Sequence, residues 1–258
     1  MKFLVTGSSG YLGHHICEFL ISKGYQVHGL GRKECDLTNF SQLESFFSTS
    51  GKFDFVIHTA ISGGGRNKKD ELEIYQNNVQ LIENLLTYSH KYYRFINIGS
   101  GAELFHTETH YGRSKLYVYN RIKPLPNFYH LRVFNVFNQF EIKSRFCRYA
   151  ITQYIKGSPI RVLNNRLYDS FYMQDFLSLV HYYVVAENPP KEIDAVYRNK
   201  RDLRQMASYI NKLDDYVVPI EIVGNTDKHY IGVFKDIAVS YVGLENAFTD
   251  MYWKLKKQ

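Results

Sequence analysis

The amino-terminal part of the chain alternates between short apolar runs and stretches with helical spacing of apolar residues. Residues 2–6 form one apolar run and residues 25–30 another, and residues 14–23 between them have helical periodicity. The segment that joins the first run to the helix, residues 7–13, contains three glycines in the spacing GxxGxxG. This order predicts a strand, a glycine turn, a helix and a second strand, which together make one βαβ unit.

The alternation continues along the chain. Apolar runs at residues 53–57 and 95–98 predict two further strands, and helical periodicity predicts helices at residues 40–47, 71–91 and 111–119. This arrangement is typical of an α/β protein with a doubly wound parallel sheet of the Rossmann type. A further amphipathic stretch predicts a terminal helix at residues 248–256.

The length of the chain bounds the number of domains. Its 258 residues, 45% of them hydrophobic, are enough for one large domain or one and a half. We assign residues 1–158 to a Rossmann dinucleotide-binding domain that carries the catalytic residues. Residues 159–258 are assigned mainly to a smaller C-terminal substrate-binding domain, with segments that could return to the sheet.

The glycine turn has the spacing that dinucleotide binding requires. One glycine permits the tight turn, a second lets the backbone approach a pyrophosphate, and the third lets the helix pack closely on the strand. The amides at the start of the helix then face the anion. The residues that we expect to bind the cofactor here are Gly7, Ser9, Gly10, Tyr11, Leu12 and Gly13.

The loop after the second strand bears on the choice of cofactor. An acidic side chain at the end of this strand would accept hydrogen bonds from the adenosine ribose and would repel a 2′-phosphate. The first side chains past the strand are instead Arg32 and Lys33, which favours NADPH over NADH. The alternative is that both are solvated loop residues. Asp36 either faces the adenine or caps the next helix.

Charge and cysteine content restrict the partners. The net charge is +7, but no run of five or more Lys and Arg occurs, so no nucleic-acid face is indicated. Cys17, Cys35 and Cys147 lack metal-ligand spacing, and we expect reduced thiols, no metal and a cytoplasmic location. No apolar stretch approaches the ~20 residues that span a bilayer, and a chain that opens directly into a strand predicts no signal peptide.

A second group of polar residues follows the later strands and points to proton transfer. His58, Thr59 and Ala60 follow the third strand and lead into a glycine-rich loop at residues 61–66, and Ser100 ends the fourth strand. Tyr111 and Lys115 are four residues apart, which places the phenol and the ammonium on one helix face. The cation would lower the tyrosine pKa, and the hydroxyl of Ser100 could complete the site. Alone, this YxxxK pattern says little in a chain with 22 tyrosines.

These motifs are informative only when they are taken together. The glycine turn, residues 58–60, Ser100, the Tyr111 and Lys115 pair and Leu131-Arg-Val-Phe-Asn-Val-Phe137 occur in one order. Together they resemble the extended short-chain dehydrogenase/reductase superfamily, in the NAD-dependent epimerase/dehydratase branch that acts on nucleotide-sugars. The resemblance extends from residue 1 to about residue 176 and fades towards the C-terminus.

The resemblance implies a role for each matching residue. Ser100 is expected to bind the substrate oxygen, Tyr111 to act as general acid or base, and Lys115 to hold the nicotinamide ribose. Asn135 matches an asparagine that shapes the nicotinamide and substrate pocket. The further cofactor contacts expected are Leu37, His58, Thr59, Ala60 and Asn78, and the further substrate contacts are Gly64, Gly101, Arg145 and Arg166.

The chain departs from this family in two segments. The family has an arginine where Tyr168 stands, and Arg166 two residues earlier is our substitute for it. The family also has more than twenty residues between the serine and the tyrosine, whereas here the span is much shorter. The substrate pocket must therefore be lined differently, and Glu103, His106 and Glu108 are available in the short span.

The departures also narrow the reaction. In the GDP-fucose-forming 3,5-epimerase/4-reductases of this branch a cysteine follows the serine by two residues and a histidine follows later. Ala102 and Arg145 fall at these positions. The Asp-Glu pair of the dehydratases is also missing, because Gly101 and Ala102 follow Ser100. Hydride transfer at one carbon, with Tyr111 exchanging the proton, remains.

Three hypotheses follow. The first is an NADPH-dependent reductase of a 4-keto-6-deoxy nucleotide-sugar in deoxysugar biosynthesis. The second is a nucleotide-sugar 4-epimerase with tightly held NAD. The third is a cofactor-binding protein without catalysis that regulates a partner. Members of the superfamily often pair through two helices, one of which carries the tyrosine and lysine, so a homodimer is expected by resemblance.

Overall fold

A computed structural model describes residues 1–64 and 69–257 of the chain. The last two residues of the predicted glycine-rich loop, Gly65 and Arg66, lie outside this described part. The described strands, in chain order, are β1 (Lys2–Thr6), β2 (Gln26–Leu30), β3 (Phe53–His58), β4 (Tyr92–Ser100), β5 (Phe128–Val133), β6 (Val136–Phe137), β7 (Ile160–Val162), β8 (Phe171–Tyr172), β9 (Glu192–Ala195) and β10 (Ile220–Ile222).

The helices alternate with these strands in the first half of the chain. A short 3-10 turn, Ser89–Lys91, precedes β4. The described α-helices are α1 (Tyr11–Ser22), α2 (Phe40–Thr49), α3 (Leu72–Thr87), α4 (Ala102–Phe105), α5 (His110–Ile122), α6 (Phe146–Ile155), α7 (Met173–Val185), α8 (Leu203–Ile210) and α9 (Leu244–Lys256).

The central sheet has six strands in the order β2-β1-β3-β4-β5-β9. Strand β1 pairs in parallel with both β2 and β3, and β3 pairs in parallel with β4. The side chains of Phe3, Leu4 and Val5 on β1 are fully buried, as in a strand with both faces covered. The predicted α/β fold of the Rossmann type is therefore confirmed. Because the strand order reverses between β1 and β3, the crevice at their carboxyl ends is where such sheets bind ligands.

Residues near the helix starts explain where these helices begin. Asn39 accepts a hydrogen bond from the Gln42 amide and caps α2, and Thr109 accepts one from the Gly112 amide and caps α5. Helix α1 begins at Tyr11, three residues before the predicted start. The reason is that Gly13 lies inside the helix, where a glycine weakens the periodic signal.

The chain folds into two compact units that differ from the predicted domains. The first comprises residues 1–132 and 183–193, and the second comprises residues 133–182 and 194–258. The predicted boundary at residue 158 therefore falls inside the second unit. The reason is that α6 shares a buried core with α8 and α9, which includes Cys147, Ala150, Met206 and Phe248.

A buried arginine connects residues 183–193 to the rest of the first unit. The guanidinium of Arg94 on β4 donates to the carbonyl oxygens of Tyr183 and Ala186 at 2.7 and 2.9 Å. A helix C-terminus leaves carbonyl groups without partners in the helix, and this cation binds two of them. None of the helices in the described ranges is both long and apolar enough to cross a membrane.

Candidate active site

The glycine turn after β1 is packed too closely for side chains. Gly7 has φ +72°, and a Cβ added there would lie 2.6 Å from the backbone nitrogen of Ala60. A Cβ on Gly13 would lie 2.2 Å from the carbonyl oxygen of Gly7. Gly10 precedes the first turn of α1, whose amides lack partners inside the helix. The turn therefore fits the pyrophosphate of a dinucleotide, held by these backbone groups.

Thr59 joins this turn to the end of β3. Its hydroxyl donates to the carbonyl oxygen of Thr6 at 2.7 Å. The hydroxyl oxygen of Thr59 would lie 2.8 Å from a Cβ on either Gly7 or Gly13. Residues 58–60 and the glycine turn, both predicted to contact the cofactor, are thus brought together at the carboxyl ends of β1 and β3.

The loop after β2 holds a carboxylate that sequence reasoning missed. Glu34 accepts a hydrogen bond from the amide of Gly31 at 2.9 Å, and a Cβ on Gly31 would meet both Glu34 Oε2 and Ser9 Oγ. An acidic group therefore stands beside the glycine turn, and Arg32, Lys33 and Glu34 are all exposed. The sequence does contain an acidic residue four positions past the strand, but the two cations before it favoured a phosphate-binding loop.

Asp36 and Leu37 have protein partners in the same loop. Asp36 accepts from the backbone amide and the hydroxyl of Thr38 at 3.0 and 2.8 Å. The hydroxyl bond is the main cause that lowers the pKa of Asp36, with a smaller contribution from the charge of Arg32. Leu37 is buried in the core, and its carbonyl accepts from Asn84. Direct cofactor contacts by Asp36 and Leu37 stay predictions.

His58 is a buried neutral imidazole. Its Nδ1 is hydrogen-bonded to Thr6 Oγ1 at 2.7 Å, and its side chain is only 4% exposed. Burial, and then the charge of Lys115, lower the pKa of His58 to about 3. His58 therefore adds no positive charge beside Lys115 at neutral pH.

Asn78 connects the loop after β3 to α5. Its carboxamide accepts from the amide of Ser62 at 2.7 Å and donates to the carbonyl of Ser62 at 3.0 Å. It also donates to the hydroxyl of Ser114 at 2.8 Å, and that hydroxyl donates to the carbonyl of Tyr111. The described contacts of Asn78 therefore position the loop and the tyrosine, and the predicted cofactor contact stays untested.

Tyr111 lies against the glycine loop. A Cβ on Gly64, which has φ +75°, would be 2.8 Å from the tyrosine ring and 3.2 Å from its hydroxyl oxygen. At the start of the same helix, the carboxylate of Asp70 accepts from the amides of His110 and Tyr111 at 2.6 and 2.9 Å. Two parts of the connection that follows β3 thus contact the start of α5.

Ser100 ends β4, and Lys115 binds the backbone of the same strand. The ammonium of Lys115 donates to the carbonyl of Ile98 at 2.9 Å, two residues before Ser100. The hydroxyl of Ser100 accepts from the amide of Ala102 at 3.2 Å, and a hydroxyl group can also donate its own proton. Burial lowers the pKa of Lys115 to about 8, against the opposing charge of Glu103. The arrangement provides a hydroxyl, a phenol and a cation at one edge of the sheet.

The short connection from β4 to α5 differs from the expected pocket lining. Glu103 is 1% exposed and is turned into the protein, where it accepts from the amide of Ser100. His106 and Glu108 are exposed, with their closest side-chain atoms 3.4 Å apart. Of these three residues, only His106 and Glu108 remain accessible from solvent.

The second unit brings together two of the predicted substrate-binding residues. Arg145 donates to the side-chain oxygen of Asn135 at 2.8 Å. Arg166 is elsewhere in this unit, with its guanidinium 5.2 Å from the centre of the Tyr168 ring. That ring in turn stacks on Tyr230 at 5.6 Å between centroids. Arg145 and Arg166 are both half-buried, so each retains contact with solvent.

Comparison with known proteins identifies the family. A model of the NAD dependent epimerase/dehydratase family matches residues 3–195. The chain belongs to this family. A curated relative, CDP-abequose synthase from Yersinia pseudotuberculosis, is 32% identical over 114 residues, which cover 39% of this chain and 40% of that protein.

Several solved structures have the same fold as this chain. UDP-glucose 4-epimerase from Thermotoga maritima matches with a TM-score of 0.78 and 16% identity, over 100% of this chain and 99% of that one. GDP-mannoheptose C4 reductase from Campylobacter jejuni, with NADP bound, matches with a TM-score of 0.81 and 15% identity, over 99% and 98%. UDP-glucuronic acid 4-epimerase from Bacillus cereus, with NAD, matches with a TM-score of 0.77 and 17% identity, over 100% and 99%.

Proposed function

We propose that this protein is an NADPH-dependent reductase that converts a 4-keto-6-deoxy nucleotide-sugar to the 4-hydroxy sugar. The observation that carries the proposal is the pair of exposed cations, Arg32 and Lys33, directly after β2 and the buried Gly31. A 2′-phosphate is a dianion that such cations bind through charge-assisted hydrogen bonds. A reductase draws NADPH from the pool, whereas an epimerase recycles its own cofactor.

The residues around Ser100 support chemistry at a single carbon. Gly101 and Ala102 follow it, and neither has an acid–base group. The carboxylate of Glu103 is bonded inside the protein. Proton exchange at further carbons of the sugar needs additional acid–base groups of this kind. The pair of Ser100 and Tyr111 is sufficient for reduction of one ketone.

The catalytic side chains have separate tasks in this proposal. The nicotinamide cofactor, when bound, supplies the hydride for the keto carbon. Ser100 donates its hydroxyl proton in a hydrogen bond to the keto oxygen, and Tyr111 protonates that oxygen as it becomes an alkoxide. The cation of Lys115 stabilises the tyrosinate left behind. The cofactor phosphates are held by Gly7, Gly10, Gly13 and the first amides of α1.

The second unit supplies groups for the rest of the substrate. Arg145, oriented by Asn135, offers donors to a diphosphate, and Arg166 offers a second cation. The relatives include proteins named for CDP-, GDP- and UDP-sugars, which supports a nucleotide-sugar and leaves its base open. We propose a homodimer on the basis of family resemblance alone, which light scattering of the purified protein tests.

One observation favours a second candidate, a 4-epimerase with tightly bound NAD. The carboxylate of Glu34 lies beside Gly31 and Ser9, where an acidic group could accept hydrogen bonds from the adenosine ribose. Such a carboxylate would repel the 2′-phosphate of NADPH. In the reductase, the cations Arg32 and Lys33 contact the 2′-phosphate on the adenosine ribose. In the epimerase, Glu34 of the same loop contacts that ribose instead.

A cofactor titration distinguishes the two candidates. NADPH and NADH binding are followed by fluorescence on wild type, Arg32→Ala and Glu34→Gln, with Lys23→Ala as a matched loss of one exposed cation. The reductase predicts that Arg32→Ala weakens NADPH ten- to a hundredfold, roughly 1.5–3 kcal/mol, and leaves NADH unchanged. If Arg32→Ala changes neither cofactor and Glu34→Gln weakens NADH, the epimerase replaces the reductase.

A further inference from the structure

A buried charged cluster contacts the backbone of Ser100. Glu103 Oε1 accepts from Nε2 of His130 at 2.8 Å and from Nε of Arg132 at 2.6 Å. The side chains of these three residues are 0%, 3% and 7% exposed, respectively. A buried carboxylate is expensive unless it is paired and hydrogen-bonded, and Glu103 meets both conditions. The residues come from α4 and β5, which are distant in sequence.

The second carboxylate oxygen connects this cluster to the active site. Glu103 Oε2 accepts from the amide of Ser100 at 3.2 Å. On the other side, Nδ1 of His130 is 2.9 Å from the side-chain nitrogen of Asn97. Nε2 of His130 thus faces the carboxylate, and Nδ1 faces the side-chain amide of Asn97. The carboxylate therefore holds the Ser100 backbone through a network that ends in β4 and β5.

Gly99 shows how closely the cluster approaches the catalytic strand. A Cβ on Gly99 would lie 2.2 Å from Nε2 of His130 and 3.1 Å from Oε2 of Glu103. No other residue type fits here without moving the imidazole or the strand. The glycine before Ser100 therefore makes room for the histidine that orients the carboxylate.

The cluster also sets the charge around Lys115. Burial by itself would raise the pKa of Glu103, but the charges and hydrogen bonds of His130 and Arg132 outweigh it and lower the pKa. The resulting carboxylate partly offsets the burial that lowers the pKa of Lys115. Among the described residues, the neutral His58 on β3 and Tyr111 one turn earlier on α5 are further titratable groups near Lys115.

We propose that Glu103 is a positioning residue of the active site: its carboxylate, oriented by His130 and Arg132, holds the backbone of Ser100 and places a buried negative charge two residues along β4 from the carbonyl group that binds Lys115. Glu103 touches neither substrate nor cofactor in this role. The proposal rests on the proposed function only in that Lys115 binds the cofactor. It therefore holds equally for a reductase and for an epimerase.

The test is the pH dependence of cofactor binding by Glu103→Gln. Its matched control is Glu192→Gln, because Glu192 also pairs with Arg132, at 3.5 Å, but is 36% exposed and makes no described contact with Ser100. Wild type and the control should lose affinity as pH rises through about 8, where Lys115 loses its proton. The cofactor affinity of Glu103→Gln should fall at a pH roughly one unit lower, which makes cofactor binding about fivefold weaker than in wild type at pH 8.

The pH midpoint separates positioning from general destabilisation. A merely structural role would lower the melting temperature of Glu103→Gln and leave the midpoint of binding where it is in wild type. An unchanged midpoint would therefore overturn the proposal. Turnover of a 4-keto sugar with NADPH is measured separately, so that failure of the reductase and failure of this inference give different results.

A second variant covers the case in which Glu103→Gln does not fold. Glu103→Asp keeps the charge but withdraws the carboxylate by one methylene from the amide of Ser100. We expect the wild-type pH midpoint and a kcat about tenfold lower, because the serine is less well held. Wild-type kcat in this variant, or a midpoint that moves to lower pH, would contradict the assigned role.

Discussion

The two units of this protein hold their candidate functional residues in different ways. In the first unit Ser100 and Lys115 are buried, and each is fixed by hydrogen bonds to the backbone of β4 or its continuation. In the second unit Arg145 and Arg166 are half-buried, and their described contacts are with an amide side chain, an aromatic ring and one carbonyl group. Proton transfer needs groups held in advance at fixed positions, whereas binding of a charged, flexible substrate tolerates adjustment.

This contrast predicts where substitutions affect catalysis and where they affect binding. Changes at the carboxyl edge of the central sheet should alter kcat or the stability of the first unit. Changes among the arginines of the second unit should alter KM for the sugar substrate and leave cofactor binding intact. Three substitutions examine this division, in decreasing order of expected effect.

The largest effect is expected from Tyr111→Phe. Loss of the phenol removes the proton donor, so kcat should fall roughly 10²- to 10⁴-fold while cofactor affinity stays within about twofold. Tyr117→Phe on the same helix is the control, because its hydroxyl donates to Glu83 and not to the site. If Tyr111→Phe retains kcat, Tyr111 is not the acid. If wild type itself turns over no sugar, the third hypothesis, a regulator without catalysis, gains support.

The next effect is on stability and comes from Gly112→Ala. A Cβ at this position of α5 would lie 1.9 Å from the carbonyl oxygen of His106, so the short connection must move. We expect a loss of about 3 kcal/mol in the free energy of unfolding. Thermal unfolding measures it against Gly224→Ala in the second unit, where the nearest atom would be 3.1 Å away and the loss should be under about 1 kcal/mol. Equal losses would show that the close approach at Gly112 does not determine the size of the effect.

The smallest effect is expected from Arg145→Ala. Removal of one charge-assisted donor should raise KM for the nucleotide-sugar about tenfold, with kcat changed less than about threefold. Arg161→Ala is the control in the same unit, because Arg161 is 65% exposed and pairs with Glu221. A fall in kcat without a change in KM would place Arg145 in the chemistry and remove the distinction between the units.

The secondary structure of the first unit was easier to predict from the sequence than that of the second unit. The strands β1 to β4 are apolar runs separated by helices of clear periodicity, so the pattern alone predicted them. In the second unit β6, β7, β8 and β10 have only two or three residues each, and such segments are too short to show a period. Their pairing is set by tertiary contacts instead.

The residues of the candidate site were also only partly predictable from the sequence. Tyr111 and Lys115 have the spacing of the YxxxK pattern and Ser100 ends a predicted strand, so the sequence alone proposed these three residues as a site. The orientation of Glu103 could not be predicted, because it depends on His130, which is 27 residues further along the chain. Glu34 was missed because its place beside Gly31 results from a turn and not from a motif.

The short connection between Ser100 and Tyr111 has a consequence for folding. Ten residues lie between them, and each halving of a loop lowers the entropic cost of closing it by about 0.6 kcal/mol. Contacts between residues close in sequence also form faster than the pairing of distant strands. The hydroxyl, the phenol and the ammonium all lie within residues 100–115, so they can be arranged before β5 docks beside β4. His130 and Arg132 reach Glu103 from β5, so the arrangement is complete only when β5 is paired beside β4.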